Sequence, residues 1–154
     1  MTQLRIGHSP DADDAFMFFG FAQGAIDTGP YHVVHVVEDI ESLNKRAMQG
    51  ELEMTAISAA AYPEVAHHYR IMACGASVGR SYGPIILARQ PIDPQALAGK
   101  RVAIPGALTT AYLLLRIYVP DILPVVIPFD RIMDAVDQGD VDAGVVIHEG
   151  QLTY

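Results

Sequence analysis

The sequence is poor in cysteine, in basic residues and in long apolar runs, and each scarcity argues against a class of protein. Its single cysteine, Cys74, excludes an internal disulfide and suits a reducing compartment such as the cytoplasm. Its 10 basic residues, against 18 acidic ones, form no run, which argues against a nucleic-acid partner because phosphates require a basic face. No apolar stretch approaches the roughly 20 residues of a membrane span, and no secretory signal follows Met1. We therefore expect a cytoplasmic protein without a membrane partner.

The abundant residues describe a protein with a buried core. The chain has 154 residues, of which 51% are hydrophobic and 18% charged, so it is not disordered. Apolar strand-like segments alternate with amphipathic helical ones, which predicts right-handed βαβ units and an α/β fold. The predicted strands are residues 4–8, 31–37, 54–57, 71–74, 85–88, 101–104, 125–128 and 143–147. The predicted helices are residues 15–23, 39–49, 109–118 and 130–138.

Two short patterns recur in the same order in both halves of the chain. Residues 48–58 (MQGELEMTAIS) resemble residues 137–148 (DQGDVDAGVVIH), and residues 5–10 (RIGHSP) resemble residues 101–106 (RVAIPG). The proline-rich segment 90–99 between the halves is a predicted boundary. The sequence thus predicts two similar lobes, a first lobe of residues 1–95 and a second lobe of residues 96–154.

Polar side chains follow several predicted strands directly. They are Asp14, Ser58, Thr109, Thr110 and His148. Ligands of open α/β sheets bind beyond the carboxyl ends of the strands, so we expect these side chains to face a common cleft.

His148 is the candidate general base among these residues. It directly follows the apolar run 145–147, and an imidazole with a pKa near 6.5 accepts protons at neutral pH. The alternative is a histidine that only caps the strand by binding a backbone carbonyl. The pair His67 and His68 at a polar helix end, and His32 and His35 along one strand, favour structural roles.

The segment Thr109-Thr110-Ala111 begins a predicted helix after a Pro-Gly turn. Its hydroxyls can cap the first backbone N–H groups, or those N–H groups can bind a carboxylate or phosphate. The turn lacks the glycines and the lysine of a phosphate-binding loop, which argues against nucleotide triphosphates. Asn44 and Ser58 are likewise either site residues or ordinary solvated and capping residues.

Three aspartates, Asp11, Asp13 and Asp14, lie close together after the first strand. They suit a divalent cation, as in a metal-dependent hydrolase, or a helix start, where acidic side chains are stabilised. No second acidic cluster with a companion lysine accompanies them, so we expect no metal.

Five motifs together resemble the 1,4-dihydroxy-6-naphthoate synthase family and run in family order across the whole chain. They are residues 9–18 (SPDADDAFMF), 37–44 (VEDIESLN), 82–84 (YGP), 102–111 (VAIPG, then TTA at 109–111) and 147–154 (IHEGQLTY). The resemblance implies a two-lobed, type II periplasmic-binding-protein-like fold with the active site in the cleft, and neither a metal nor an organic cofactor. It implies a menaquinone-pathway lyase that cleaves cyclic dehypoxanthinylfutalosine.

The resemblance also assigns individual residues. The family's proton acceptor corresponds to His148, and its substrate pocket corresponds to Asp14, Asn44, Ala56, Ile57, Ser58, Thr110 and Ala111. Thr109 joins this set from its predicted position at the helix start.

One departure from the family concerns length. Family members continue well beyond the IHEGQLTY motif, so the second lobe is expected to be C-terminally incomplete and to leave apolar surfaces uncovered, through which the chain can self-associate. Two alternatives therefore stay open: a non-catalytic carboxylate-binding protein of the same fold, and an inactive fragment of the enzyme.

Overall fold

A computed structural model describes residues 1–147, which form two compact α/β units. Unit 1 spans Met1–Val78, and unit 2 begins at Gly79. The sequence placed the boundary near residue 95, which lies inside unit 2. The difference arises because the strand Ile85–Leu87 pairs within the sheet of unit 2 and so ties the segment before residue 95 to that unit. No helix in the described part of the chain is long and apolar enough to cross a membrane.

Unit 1 is built on a three-stranded parallel sheet. Its elements are β1 (Thr2–His8), α1 (Ala12–Ala22), β2 (Tyr31–Val37), α2 (Ile40–Met48), β3 (Met54–Thr55), a 3₁₀ turn (Ala59–Ala61) and α3 (Tyr62–Val65). The strand order is β2-β1-β3, with β1 parallel to both neighbours. The predicted strand at residues 71–74 is wrong: Ile71 and Met72 are 72% and 52% exposed and bury no sheet face.

Unit 2 contains a four-stranded mixed sheet. Its elements are β4 (Ile85–Leu87), a 3₁₀ turn (Pro94–Leu97), β5 (Arg101–Ile104), α4 (Thr110–Tyr118), β6 (Leu123–Val126), a second 3₁₀ turn (Phe129–Arg131), α5 (Ile132–Gln138) and β7 (Ala143–Val146). The order is β4-β7-β5-β6, and β4 runs antiparallel to β7. The expected βαβ units are therefore present, with one antiparallel strand added at the edge.

The two faces of the unit 2 sheet bury different helices. On one face, Leu115 of α4 packs in a cluster with Val102, Ile104, Ala143 and Val145. On the other face, α5 packs with Ala103 and Val146, which alternate with those residues along the strands. Alternate side chains of a strand point to opposite faces, so these apolar strands cover both layers. Residues 143–147 are continuously apolar because helices cover both faces of this sheet.

The internal similarity predicted from the sequence is confirmed. Strand order β2-β1-β3 in unit 1 matches β6-β5-β7 in unit 2. The Arg5 backbone N–H donates to Glu53 Oε2 over 2.9 Å, and the Arg101 N–H donates to Asp142 Oδ2 over 2.9 Å. In unit 1, Ile6, which follows Arg5, pairs with Met54, which follows Glu53. In unit 2, Val102 pairs with Ala143 in the same way. An acidic residue at the equivalent position, Glu53 or Asp142, thus fixes the start of the third strand in each unit.

Candidate functional site

In unit 1, Asp14 holds the turn that follows β1. It is buried in the first turn of α1, where the unpaired N–H groups of a helix start stabilise a carboxylate. Its Oδ2 accepts a hydrogen bond of 2.6 Å from the Ser9 backbone N–H. The predicted site residue Asp14 therefore shapes the Ser9–Asp14 turn, by which we mean residues 9–14, at the carboxyl end of β1.

A second pair of predicted site residues, Asn44 and Ser58, is joined directly. The Asn44 Nδ2 donates to Ser58 Oγ over 3.1 Å, and the Ser58 N–H donates to Asn44 Oδ1 over 2.9 Å. Asn44 is fully buried, so as arranged here its influence on a ligand passes through Ser58. Ala56, Ile57 and Ser58 are only partly buried and form the loop after β3. A ligand can therefore contact the loop that carries Ser58, whereas Asn44 lies behind it.

In unit 2, Thr109 caps helix α4. Its Oγ1 donates to the Gly106 carbonyl over 2.8 Å and accepts from the Tyr112 N–H over 3.3 Å. The capping role considered from the sequence is thus realised. Thr110 is the first residue of α4, and Ala111 behind it is buried. The free backbone N–H groups at a helix start beyond the carboxyl end of a strand can also bind a carboxylate or a phosphate.

His148 lies outside the described residues. The structure defines the strand that leads to it: β7 ends at Val146, and the following Ile147 is 49% exposed. The predicted position of His148 and the role of its imidazole both stay predictions.

Each of the three aspartates that suggested a metal site accepts a hydrogen bond from a serine. Ser9 Oγ donates to Asp11 Oδ2 over 2.9 Å, and Ser77 Oγ donates to Asp13 Oδ2 over 2.5 Å. Asp14 accepts from the Ser9 N–H instead. Within residues 1–147, no group of three or more His, Cys, Asp or Glu side chains is arranged to hold a metal ion. The geometry thus gives the hydrolase hypothesis no support in this part of the chain.

Sequence reasoning missed a histidine pair beside the Ser9–Asp14 turn. His8 Nε2 and His35 Nδ1 are 2.9 Å apart, and the Phe18 ring stacks on His8 with the ring centroids 4.7 Å apart. Burial, and secondarily the charge of His8, lower the pKa of His35. His35 was predicted to be a structural strand residue, and the register that pairs it with Ile6 of β1 is not readable from the sequence. The spacing of histidines along the chain carries no signal for this contact.

Comparison with known proteins gives the relatives of the chain. The chain is 44% identical over 154 residues to the 1,4-dihydroxy-6-naphthoate synthase of Thermus thermophilus, covering 100% of this chain and 56% of that enzyme. The chain thus spans little more than half the length of that relative.

Solved structures give the fold. A crystal structure of a protein from Archaeoglobus fulgidus matches with a TM-score of 0.92 and 53% identity over 99% of this chain and 56% of that one. The alkanesulfonate-binding protein of Xanthomonas axonopodis, solved with MOPS bound, matches with a TM-score of 0.69 and 16% identity over 99% of this chain and 56% of that one. The second match shows the fold alone, which is periplasmic-binding-protein-like. The model of the menaquinone biosynthesis family matches residues 4–154, and the chain belongs to this family.

Proposed function

We propose that this chain provides the first part of a 1,4-dihydroxy-6-naphthoate synthase, a carbon–carbon lyase that converts cyclic dehypoxanthinylfutalosine to 1,4-dihydroxy-6-naphthoate. The observation that carries the proposal is the 44% identity to the Thermus thermophilus enzyme along the entire chain. Because the chain spans 56% of that enzyme, the proposal concerns the part that this chain contributes to the activity.

The arrangement within each unit supports a carboxylate-bearing, hydroxyl-rich substrate. In unit 2, the start of α4 at Thr109 and Thr110 suits the carboxylate of the substrate because helix N-termini favour anions. In unit 1, the Ser58 hydroxyl on the loop after β3 suits a substrate hydroxyl, and Asn44 fixes its position. Asp14 maintains the neighbouring turn.

His148 is the proposed proton acceptor. In the proposed step, a substrate hydroxyl proton moves to the His148 imidazole, and the electrons of the O–H bond form a carbonyl. The adjacent carbon–carbon bond breaks, and its electron pair passes into the ring that becomes the aromatic dihydroxynaphthoate. A neutral imidazole suits this role because its pKa lies near the working pH. The proposal uses neither a metal nor an organic cofactor.

The proposed partner is thus a small molecule, with no nucleic acid and no membrane. The net charge of -8 disfavours binding to phosphate backbones. A cytoplasmic location is part of the proposal and agrees with the single, exposed Cys74, which is stable as a thiol in a reducing compartment.

A non-catalytic binding protein is the second candidate function. It is favoured by the fold similarity to the alkanesulfonate-binding protein, which shows that this architecture also occurs in a binding protein. Against it stands the 44% identity to an enzyme, which far exceeds the 16% identity to the binding protein.

One incubation separates the candidates. The chain, alone and extended by the remaining part of the Thermus thermophilus enzyme, is mixed with cyclic dehypoxanthinylfutalosine, and 1,4-dihydroxy-6-naphthoate is followed by liquid chromatography and mass spectrometry. We expect product from the extended form, with a rate that a chelator leaves unchanged. Substrate binding without product identifies a binding protein, and a rate abolished by chelator restores the metal-dependent hydrolase hypothesis.

A further inference from the structure

A continuous chain of polar contacts links β2 to the Ser9–Asp14 turn. His35 Nδ1 lies 2.9 Å from His8 Nε2, and His8 Nδ1 lies 2.9 Å from the Ser9 carbonyl oxygen. Asp14 holds the other side of Ser9 through the backbone N–H. The peptide groups of Ser9 are therefore fixed from both sides, by an imidazole and by a carboxylate.

The Ser9 carbonyl determines where the protons of a neutral pair reside. A carbonyl oxygen only accepts hydrogen bonds, so His8 Nδ1 carries the proton and donates to it. In a neutral ring His8 Nε2 is then an acceptor, and His35 Nδ1 must carry the proton that it receives. Both histidines thus adopt the Nδ1–H tautomer, and His35 Nε2 holds a lone pair.

This His35 Nε2 atom is buried and has no hydrogen-bond partner in the described structure. A second proton there would create a buried cation whose new N–H lacks an acceptor, which costs free energy. The imidazole of His8 is the ionisable group that acts on His35 from β1, and α1 presents the aromatic Phe18 to the pair. The acidic groups at this end of the sheet have other partners, since Asp14 binds Ser9 and Glu38 binds Arg46.

We propose that His8 is a positioning residue for the candidate site, which holds the Ser9–Asp14 turn while its Nε2 is anchored on neutral His35. Protonated His35 leaves its buried position for water, His8 Nε2 loses its donor, and the ring that supports the Ser9 carbonyl is no longer fixed. The inference deepens the proposed function, on which it rests for the assignment of Asp14 to the substrate site.

The direction of the pH effect follows from burial. The pKa of His35 is lowered in the folded protein, so the paired arrangement is fully present above the ordinary histidine pKa of about 6.5. It is lost as the pH falls through the lowered pKa of His35.

The tautomers are tested first, on the wild-type chain labelled with ¹⁵N-histidine. We expect long-range ¹H–¹⁵N spectra at about pH 7.5 to show protonated Nδ1 and unprotonated Nε2 for both His8 and His35. Exposed His32 and His67 should show the Nε2–H tautomer that prevails in water. An Nε2–H tautomer at either His8 or His35 overturns the proposal, and this measurement needs no variant.

Hydrogen exchange of residues 9–14 tests the consequence. After correction for the intrinsic rate, we expect exchange to become about tenfold faster as the pH falls from about 7.5, through the lowered pKa of His35, to the lowest pH at which the chain stays folded. His35→Asn retains a donor at the Nδ1 position but does not titrate, so it should remove this dependence. His32→Asn, on the same strand at an exposed position, should retain it.

Exchange in the wild type that stays constant over this pH range, or an unchanged dependence in His35→Asn, contradicts the proposal. No substrate enters either experiment, so failure of the proposed reaction leaves the positioning test intact. Conversely, failure of the positioning test leaves the lyase assignment unaffected.

Discussion

At the scale of single residues, Asn44 shows how a candidate site residue acts through a neighbour. Its side chain is buried, and its Nδ2 and Oδ1 both form hydrogen bonds with Ser58, which lies in the loop after β3. The resemblance to the family implied both residues as pocket residues, and Ser58 also lies at the end of a predicted strand. Their contact joins positions 14 residues apart and depends on how α2 packs beside β3, which no local pattern contains.

We predict that Asn44→Ala lowers the free energy of unfolding by about 1–3 kcal/mol, because the buried Asn44 amide is removed and the partly buried Ser58 N–H and hydroxyl lose their partner. Urea denaturation measures this change. Glu64→Ala is the matched control, since Glu64 is exposed on α3 and should change the free energy of unfolding by less than about 0.5 kcal/mol. Equal effects of the two variants would show that the Asn44–Ser58 contact does not stabilise the loop.

At the scale of elements, the close packing of α5 on β7 depends on Gly144. A Cβ added at Gly144 would lie 2.5 Å from Ile132 Cγ2 and 3.1 Å from Val136 Cγ2. Both are γ-carbons of buried branched side chains, which have little freedom to move. The missing side chain thus sets the distance between helix and sheet.

Gly144→Ala is therefore expected to destabilise the protein by about 1–3 kcal/mol through overpacking. At Gly83 an added Cβ would meet nothing within 4 Å, so Gly83→Ala should be close to neutral. Thermal denaturation of the two variants compares the sites. Equal melting temperatures would mean that α5 moves away from the sheet without cost.

The contact between β1 and the start of β3 gives a prediction about acid stability. Glu53 receives hydrogen bonds from the Arg5 side chain and from the Arg5 N–H, which lower the pKa of Glu53 to about 2. Because this pKa is below that of the unfolded chain, the stabilisation is present above about pH 4.5 and disappears as the pH falls toward 2.

Glu53→Gln should lower the free energy of unfolding at neutral pH by less than about 1 kcal/mol, since the pair is partly exposed and screened by water. The difference from wild type should vanish near the lowest pH at which the protein stays folded. Urea denaturation across the pH range measures it, with Glu64→Gln as the exposed control. A difference that grows on acidification would contradict the assigned pKa direction.

The strands show how far local patterns reach. Residues 31–37 and 101–104 match β2 and β5 because apolar, β-branched runs bounded by turn residues leave few alternatives. Residues 71–74 had the same apolar character but form no strand, because a strand also needs a neighbour for its backbone groups. The antiparallel strand β4 likewise depends on its distant partner β7. These pairings could not be read from local sequence.

At the scale of the whole molecule, the repeated patterns were the strongest fold signal. They predicted two similar units, and the equivalent Arg5–Glu53 and Arg101–Asp142 contacts explain why the acidic residue recurs. The boundary between the two units was harder to predict from the sequence. The proline-rich segment 90–99 has the composition of a linker, but the strand before it, β4, pairs within the sheet of unit 2.

Exposed apolar side chains on α4 lead to a prediction about assembly. Leu113, Leu114, Ile117 and Tyr118 are 45%, 46%, 71% and 60% exposed. A helix face of this kind favours association when nothing covers it. We therefore predict that the chain self-associates or lacks a sharp melt.

Sedimentation equilibrium should give an average mass above 16.7 kDa that rises with concentration. Ile117→Asp should shift the mass toward the monomer, whereas Ile71→Asp, at an equally exposed apolar position outside α4, should not. A concentration-independent monomer with one cooperative melt would contradict this account.

The most direct measurement of the central claim is the turnover of cyclic dehypoxanthinylfutalosine by the chain extended with the rest of the Thermus thermophilus enzyme, in wild-type and His148→Asn forms. Asparagine keeps a hydrogen-bonding group of similar size but cannot accept the proton, so kcat should fall by about 10²–10⁴-fold with little change in substrate binding. Thr110→Ala should instead weaken binding more than turnover. An unchanged kcat in His148→Asn, or no product from the wild type, would contradict the proposed function of this chain.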